Sequence, residues 1–459
     1  MSESPLSVRD EAWSGGDTRL ARTVARPMVK FLAQETASGV LLLVATAAAL
    51  LWANFGGDTY LHFWEAEVEL AIGSWHPFEH AGHGLNLELW VNDALMVLFF
   101  FVVGLEIKSE MVVGDLRNPR IAALPAIAAI GGMGLPAGLY YLLNAGGEGS
   151  SGWGIPMATD IAFAVGVLAL MGPRVPQRLK LFLLTLAIAD DIGAIVVIAV
   201  FYSSGFSLAW LLIAIAGLAI TYAMRRYRIW YTPVYVIVGI VVWYATFRSG
   251  VHATIAGVAL GLLAPATPLL GDRMLESVED IFTGESGLGA VRDANWKVKE
   301  TVSITSRLIG LISPWTSFVV VPIFALANAG VVFSGDAVTD ALSSPVTFGV
   351  ILGLVIGKPV GIFVASWLAL RFRVADLPEG VSLAHVLAAG AVAGIGFTVA
   401  LFIGNLAFDD PAIGDQATIG ILVASLLATI VGFVLLRVTP SVADSAPASA
   451  ESDQPAPGS

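Results

Sequence analysis

Five ionisable residues lie in stretches otherwise apolar enough for a membrane interior. Asp93 stands in W-V-N-D-A-L-M, Asp160 in A-T-D-I-A-F-A, the neighbours Asp190 and Asp191 in A-D-D-I-G-A-I, and Lys358 in G-K-P-V-G. A charge at the bilayer centre costs about 2.5–3.5 kcal/mol on insertion scales, so such residues are kept for a task and face partners or water rather than lipid. One account is structural, with carboxylates pairing to Lys358 or capping broken helices. It covers one or two of them, but three carboxylates on two neighbouring spans exceed what one lysine neutralises. Ion or proton handling accounts for the cluster as a whole, because desolvated acids grouped with a lysine exchange protons near physiological pH. Asp190 and Asp191 are adjacent, so on a helix their side chains diverge by about 100°. One then faces the ion cavity and the other faces Lys358 or a second proton site, while Asp160, one crossing earlier, converges on the same cavity. Glu106 and Lys108, at the inner end of their span, are explained by snorkelling.

The elements that must position these groups are membrane spans. The chain has 459 residues, 56% apolar and only 13% charged, with a mean hydropathy of +0.80. A soluble chain is about one quarter charged, so this composition excludes a soluble protein and intrinsic disorder. A net charge of -12 with no basic stripe excludes nucleic-acid binding. With no cysteine there are no disulfides, thiolate metal sites or cysteine nucleophiles. Apolar stretches place spans near 39–55, 90–107, 121–143, 153–171, 181–202, 207–224, 230–247, 251–270, 309–333, 346–370, 383–407 and 416–437. These runs are too long and too uniform for barrel strands, so the fold class is all-α and polytopic, with twelve transmembrane helices. With both termini in the cytoplasm, every Lys and Arg of the 24 falls on the inner side except Arg248, at an outer end, and Lys358, inside a span. A missing or extra helix would scramble that bias.

Three regions flank this frame. Residues 1–36 read as a polar cytoplasmic segment with no cleavable signal, residues 37–438 as the twelve-helix membrane domain, and 439–459 as a disordered cytoplasmic tail. A charged cytoplasmic loop, 272–300, is inserted within the domain. The outer loop 56–89 carries His62, His76, His80 and His83. The spacing of the last three admits a metal site on one helical face, although four histidines scattered through a solvated loop is the preferred reading.

The fourth and eleventh spans make poor continuous helices. Gly154, Pro156, Thr159, Asp160 and Gly166 crowd the first, and Gly390, Gly394, Gly396 and Thr398 the second. Gly353, Gly357 and Gly361, four residues apart in the tenth span, read instead as a close-packing stripe. Spans four and eleven run in opposite directions, so spans 3–5 and 10–12 form a candidate inverted repeat. Paired interrupted helices at matching places in two such repeats point to a transporter's substrate site. Opposed half-helix ends bring partial charges to the midplane. Asp160 suits the positive ends and Lys358 the negative ones.

At these motifs the sequence closely resembles the NhaA family of bacterial sodium/proton antiporters. The likeness is carried, in family order, by W-V-N-D-A-L-M…G-L-E-I-K (90–108), A-T-D-I-A-F-A (158–164), A-D-D-I-G-A-I (189–195) and S-G-V-H-A-T-I-A-G (249–257). It continues through A-N-A-G-V (327–331), G-K-P-V-G (357–361), L-P-E-G (377–380) and G-I-G-F-T (394–398). The resemblance implies a twelve-helix fold with crossed, interrupted fourth and eleventh helices and a cytoplasmic funnel leading to the ion site. It implies Asp191 as principal Na+ or Li+ ligand with Thr159 and Asp160 nearby, Asp190 as the aspartate paired with Lys358, and Asp93 as an accessory acid. It further implies electrogenic import of H+ to expel Na+ in the bacterial inner membrane, no cofactor, and often a homodimer. One departure is plain. The acid and histidines that the family associates with pH sensing before the ninth span are absent from R-L-I-G-L-I-S-P-W (307–315), while Glu106 and Glu110 remain at the funnel side and His252 is a candidate modulator.

Other classes fit less well. An intramembrane aspartyl protease needs one aspartate from each of two helices sharing a proton, which adjacent Asp190 and Asp191 with a deep lysine do not supply. A passive sodium channel has no need of a titrating lysine–aspartate pair. A bile-acid or other sodium symporter shares the architecture but not the motif set.

Overall fold

Long runs of Ala, Leu, Val and Ile leave backbone N–H and C=O groups no partner but each other, and helix is the result. The computed structural model describes residues 36–68, 78–80, 83–203, 205–227, 229, 232–267 and 302–439. The N-terminal segment through residue 35, the 272–300 loop and the tail beyond residue 439 lie outside these. The helices are α1 (Thr36–Phe55), α2 (Thr59–Trp64), α3 (Leu87–Val112), α4 (Pro119–Asn144), α5 (Ile161–Met171), α6 (Gln177–Phe201) and α7 (Leu208–Arg226). They continue with α8 (Thr232–Arg248), α9 (Thr254–Leu263), α10 (Ile304–Asn328), α11 (Gly335–Ser343) and α12 (Pro345–Arg371). The last are α13 (Leu383–Ala393), α14 (Phe397–Ala407) and α15 (Pro411–Val438). A 3₁₀ segment, Glu148–Met157, precedes α5.

Among the described residues, eight helices are long and apolar enough to cross a membrane. Two bent pairs raise that to ten: the 3₁₀ segment with α5, bent by 44°, and α13 with α14, bent by 51°. Helices α8 and α9 are apolar but shorter. The two bends fall at the fourth and eleventh spans of the sequence reading. By contrast α4 stays one helix despite Pro125 and Pro136.

Two packing groups emerge. Helices α4, α6, α12, α13 and α15 pack with one another and with the broken pairs, while α3 packs against α9 and α10, and α7 against α8. Helix α1 touches both groups, through α10 and α5. The glycine stripe of α12 sets the distance to α4: a Cβ on Gly361 would run into the Gly131 carbonyl, and one on Gly353 or Gly357 into Pro156 or Pro136.

The stripe also coincides with a widened π turn, Gly353–Gly357, that its regular spacing does not predict. Four-residue spacing drifts around a 3.6-residue helix, and a wider turn offsets that drift. Two further widened turns lie at Val91–Leu95 in α3 and Thr316–Val320 in α10. The first contains Asp93, whose backbone carbonyl accepts the Trp243 indole N–H at 2.7 Å.

The described part of the outer loop carries secondary structure. It holds α2 and a two-residue antiparallel hairpin, β1 (Glu79–His80) against β2 (His83–Gly84), with the His80 and His83 backbones paired in register. That hairpin overturns the helical-face arrangement of these histidines, since extended residues do not share a helix face. His76 lies outside the described residues, and among those described no three metal-binding side chains come together. Tyr60 of α2 is buried, which pushes its phenol's ionisation up and keeps it a donor. It donates to the Ala327 carbonyl at 2.7 Å and accepts the Gly330 N–H at 3.2 Å, fixing the end of α10.

Candidate functional site

The two breaks meet. At the first, Met157 ends the 3₁₀ segment and Ala158, Thr159 and Asp160 run extended before α5. At the second, Gly394–Gly396 separate α13 from α14. Each break leaves backbone carbonyls at one half-helix end and N–H groups at the next without intrahelical partners, and the residues of both breaks are buried. The Asp160 N–H donates to the Ile395 carbonyl at 2.7 Å, tying one break to the other.

The remaining orphans are satisfied by charge and hydroxyl. Asp160 caps both half-helix N-termini: Oδ1 accepts the Phe163 N–H at 3.0 Å, and Oδ2 accepts the Thr398 N–H at 3.2 Å and hydroxyl at 2.7 Å. A carboxylate there also opposes the positive ends of two helix dipoles. On the negative side, the Lys358 ammonium donates to the Met157 carbonyl. The Thr159 hydroxyl lies 3.0 Å from the Ala393 carbonyl and 2.9 Å from Asp190 Oδ2. Ser425 of α15 accepts the Phe397 N–H at 3.3 Å.

The neighbouring aspartates of α6 divide as their angular spacing requires. Asp190 is 0% exposed and its Oδ2 lies 3.0 Å from Lys358 Nζ, itself 0% exposed. Asp190 Oδ1 is buried with no hydrogen-bond partner among the described residues. Asp191 is 7% exposed and its carboxylate makes no hydrogen bond among the described residues. The charges of Asp190, Glu106, Lys358 and Asp160 all lie within electrostatic reach of it.

The structure therefore brings Thr159, Asp160, Asp190, Asp191 and Lys358 together around the breaks. Glu106 stands near Asp191 on α3, partly buried. Asp93, also on α3, makes no side-chain hydrogen bond among the described residues. His252 is not in the cluster; its Nε2 lies 2.5 Å from the Tyr202 carbonyl, joining the end of α6 to the start of α9. Thr398 is the site residue that charge-based reading passes over. Its signal is positional: each break carries a threonine, Thr159 in A-T-D and Thr398 in G-F-T.

Opposed broken helices with buried ionisable groups at their ends define a secondary-transporter type of membrane protein. The family profile described as Na+/H+ antiporter 1 matches residues 29–436. Among curated proteins, the chain is 47% identical over 418 residues to Na(+)/H(+) antiporter NhaA 3 of Frankia alni, covering 90% of this chain and 89% of that one. It is 45% identical over 440 residues to Na(+)/H(+) antiporter NhaA 2 of Myxococcus xanthus, covering 93% and 92%. The chain belongs to the NhaA family of Na+/H+ antiporters.

Proposed function

We propose that the protein exchanges cytoplasmic Na+ or Li+ for external H+ across the bacterial inner membrane, with Asp191 as the principal ion ligand. The observation that carries this is the uncommitted carboxylate. Asp160 is occupied by two helix ends and Asp190 by Lys358 and Thr159, whereas Asp191 has no hydrogen-bond partner among the described residues. A carboxylate so placed binds either a partly dehydrated cation or a proton, and competition between the two at one site couples opposite fluxes. The free Oδ1 of Asp190 and the Thr159 hydroxyl stand ready as further oxygen ligands, and Glu106 lines the approach. Asp93 and His252 act at a distance as accessory groups.

In this reading the eight long helices, the two bent pairs and the two shorter helices α8 and α9 make twelve spans, with the bent pairs crossing at their breaks. Both termini are cytoplasmic, and residues 37–438 form the transport domain. Loading with an ion or with protons relieves the buried charge at Asp191 and permits the repeats to rock, so the empty charged form crosses least. Differential stabilisation of the two facings is what couples the fluxes. Exchange of more H+ than Na+ makes the cycle electrogenic and serves sodium extrusion and pH homeostasis, and pairing of two copies places the protein among the family's dimers.

The test uses everted membrane vesicles carrying a respiration-driven pH gradient. Na+ and Li+ should collapse the gradient and K+ should not, and Asp191→Asn should abolish the collapse while the protein remains folded. Na+-dependent collapse that persists in Asp191→Asn refutes the assignment.

A further inference from the structure

Three asparagines, on three different helices, meet away from the ion site. Asn92 lies in the widened turn of α3, Asn328 ends α10, and Asn405 sits near the end of α14. Asn92 and Asn328 exchange amide hydrogen bonds, 3.0 Å in each direction, and the Asn405 amide donates to the Asn328 side-chain carbonyl. Asn328 also donates to the Phe324 carbonyl at 2.8 Å. Both donors and both acceptor positions of Asn328 are thereby filled, so the group has no lone pair left for a cation. An amide in an apolar setting must find partners, which makes the saturated Asn328 a joint between three helices rather than an ion ligand.

The joint spans the boundary between the two packing groups. Asn92 and Asn328 belong to the α3–α9–α10 group, while Asn405 belongs to the half-helix that begins at the ion site. Seven residues separate Asn405 from Thr398, about 10 Å along the helix. Glu106 lies on the opposite side, toward the other end of α3. Between the amides and the break, Phe402 packs on Phe100 and Phe324 with ring centroids 5.2 and 6.3 Å apart, all three buried.

We propose that Asn92, Asn328 and Asn405 form a clasp that keeps the ion site closed toward the outer side, and that Asn405 must leave Asn328 for that side to open. From the antiport reading this takes that the site faces each side in turn and that both termini are cytoplasmic, which puts the 56–89 loop and the start of α3 on the outer side. Asn405 is a positioning residue here: it touches no ion and sets the balance between two facings.

The chain has no cysteine, so a single introduced thiol reports opening directly. Leu401 lies one helical turn below Asn405 on the same face and is 1% exposed. The rate at which Leu401→Cys reacts with a charged, membrane-impermeant thiosulfonate is measured in right-side-out and everted vesicles, alone and combined with Asn405→Leu or Asn405→Asp. The second change keeps the shape but sets an oxygen against the Asn328 oxygen. Loss of one interhelical amide bond in a membrane should speed labelling from the outer side by about 3- to 20-fold in Asn405→Leu. Asn405→Asp should match or exceed it. Unchanged labelling in the variants that fold, or acceleration only from the inner side, overturns the clasp. Sodium-driven gradient collapse by the otherwise unchanged protein is read in parallel. Its absence alongside faster outer labelling would strike the antiport reading and leave the clasp standing.

Discussion

Replacing Lys358 by Met should cost far more stability than replacing the whole ion pair. Lys358 and Asp190 are both fully buried, 3.0 Å apart, and removing one partner of such a pair leaves an uncompensated charge, at about 3–5 kcal/mol. The same substitution strips the Met157 carbonyl of its donor, which adds roughly 1–3 kcal/mol. Among the described residues Asp190 then retains only the Thr159 hydroxyl, since its other oxygen has no hydrogen-bond partner there. In the double variant Asp190→Asn/Lys358→Met no charge is stranded and only the carbonyl term remains. The difference between single and double variants is therefore about 3–5 kcal/mol. At roughly 2 °C per kcal/mol, the low end for large domains, the single variant should melt about 6–10 °C below the double. Thermal unfolding in one detergent at one scan rate, followed by loss of monodisperse protein, measures this. Single and double variants that melt within about 1 °C of each other would refute the view that a charged pair, rather than two neutral hydrogen-bonding groups, holds the break.

Two other substitutions probe the frame around the site. Thr398→Val removes a hydroxyl that donates to a charged carboxylate at 2.7 Å and should destabilise by roughly 1.5–3 kcal/mol; Thr398→Ser should restore the melting temperature, and equal losses in both would show that the methyl group matters instead. Gly361→Ala places a Cβ against the Gly131 carbonyl, an overpacking worth about 1–3 kcal/mol. Because Lys358 is one turn away, sodium-dependent exchange should fall with stability, and a variant with normal melting and normal exchange would show that α4 and α12 separate freely.

Spacing and residue type made the frame legible in advance. Glycine and proline around 154–166 and 390–396 marked both breaks because those residues cannot sustain a helix interior, and the structure bends there. The adjacency of Asp190 and Asp191 foretold that only one of them meets Lys358, but the period alone left open which. That choice depends on where α12 sits against α6, a tertiary distance that no local pattern encodes. The widened turns were invisible for a related reason. A π turn adds one residue to a helix without changing its composition, and Val91–Leu95 and Gly353–Gly357 read as ordinary apolar helix. In the outer loop, the four polar histidines carried no sign that Tyr60 and Trp64 within the same stretch are buried, with Tyr60 accepting the Gly330 N–H 270 positions away.

The geometry separates two tasks that a single buried carboxylate would confuse. A group that holds two broken helices together must keep its hydrogen bonds throughout the cycle, because losing them would release the N-termini of both half-helices. A group that trades protons for cations must do the reverse. Asp160 suits the first demand, with three hydrogen bonds from two N-termini, and in the proposed function Asp191 meets the second, with none among the described residues. Asp190 stands between them, joined through Lys358 to the end of one break and through Thr159 to the other. A change of charge at Asp191 is therefore felt first at Asp190 and Lys358, and through them at Met157 and Ala393, the carbonyl ends of both half-helices. On the proposed reading, coupling between ion loading at Asp191 and movement of the repeats needs no long pathway, because Asp191 sits one residue from Asp190, which is joined to both breaks through Lys358 and Thr159.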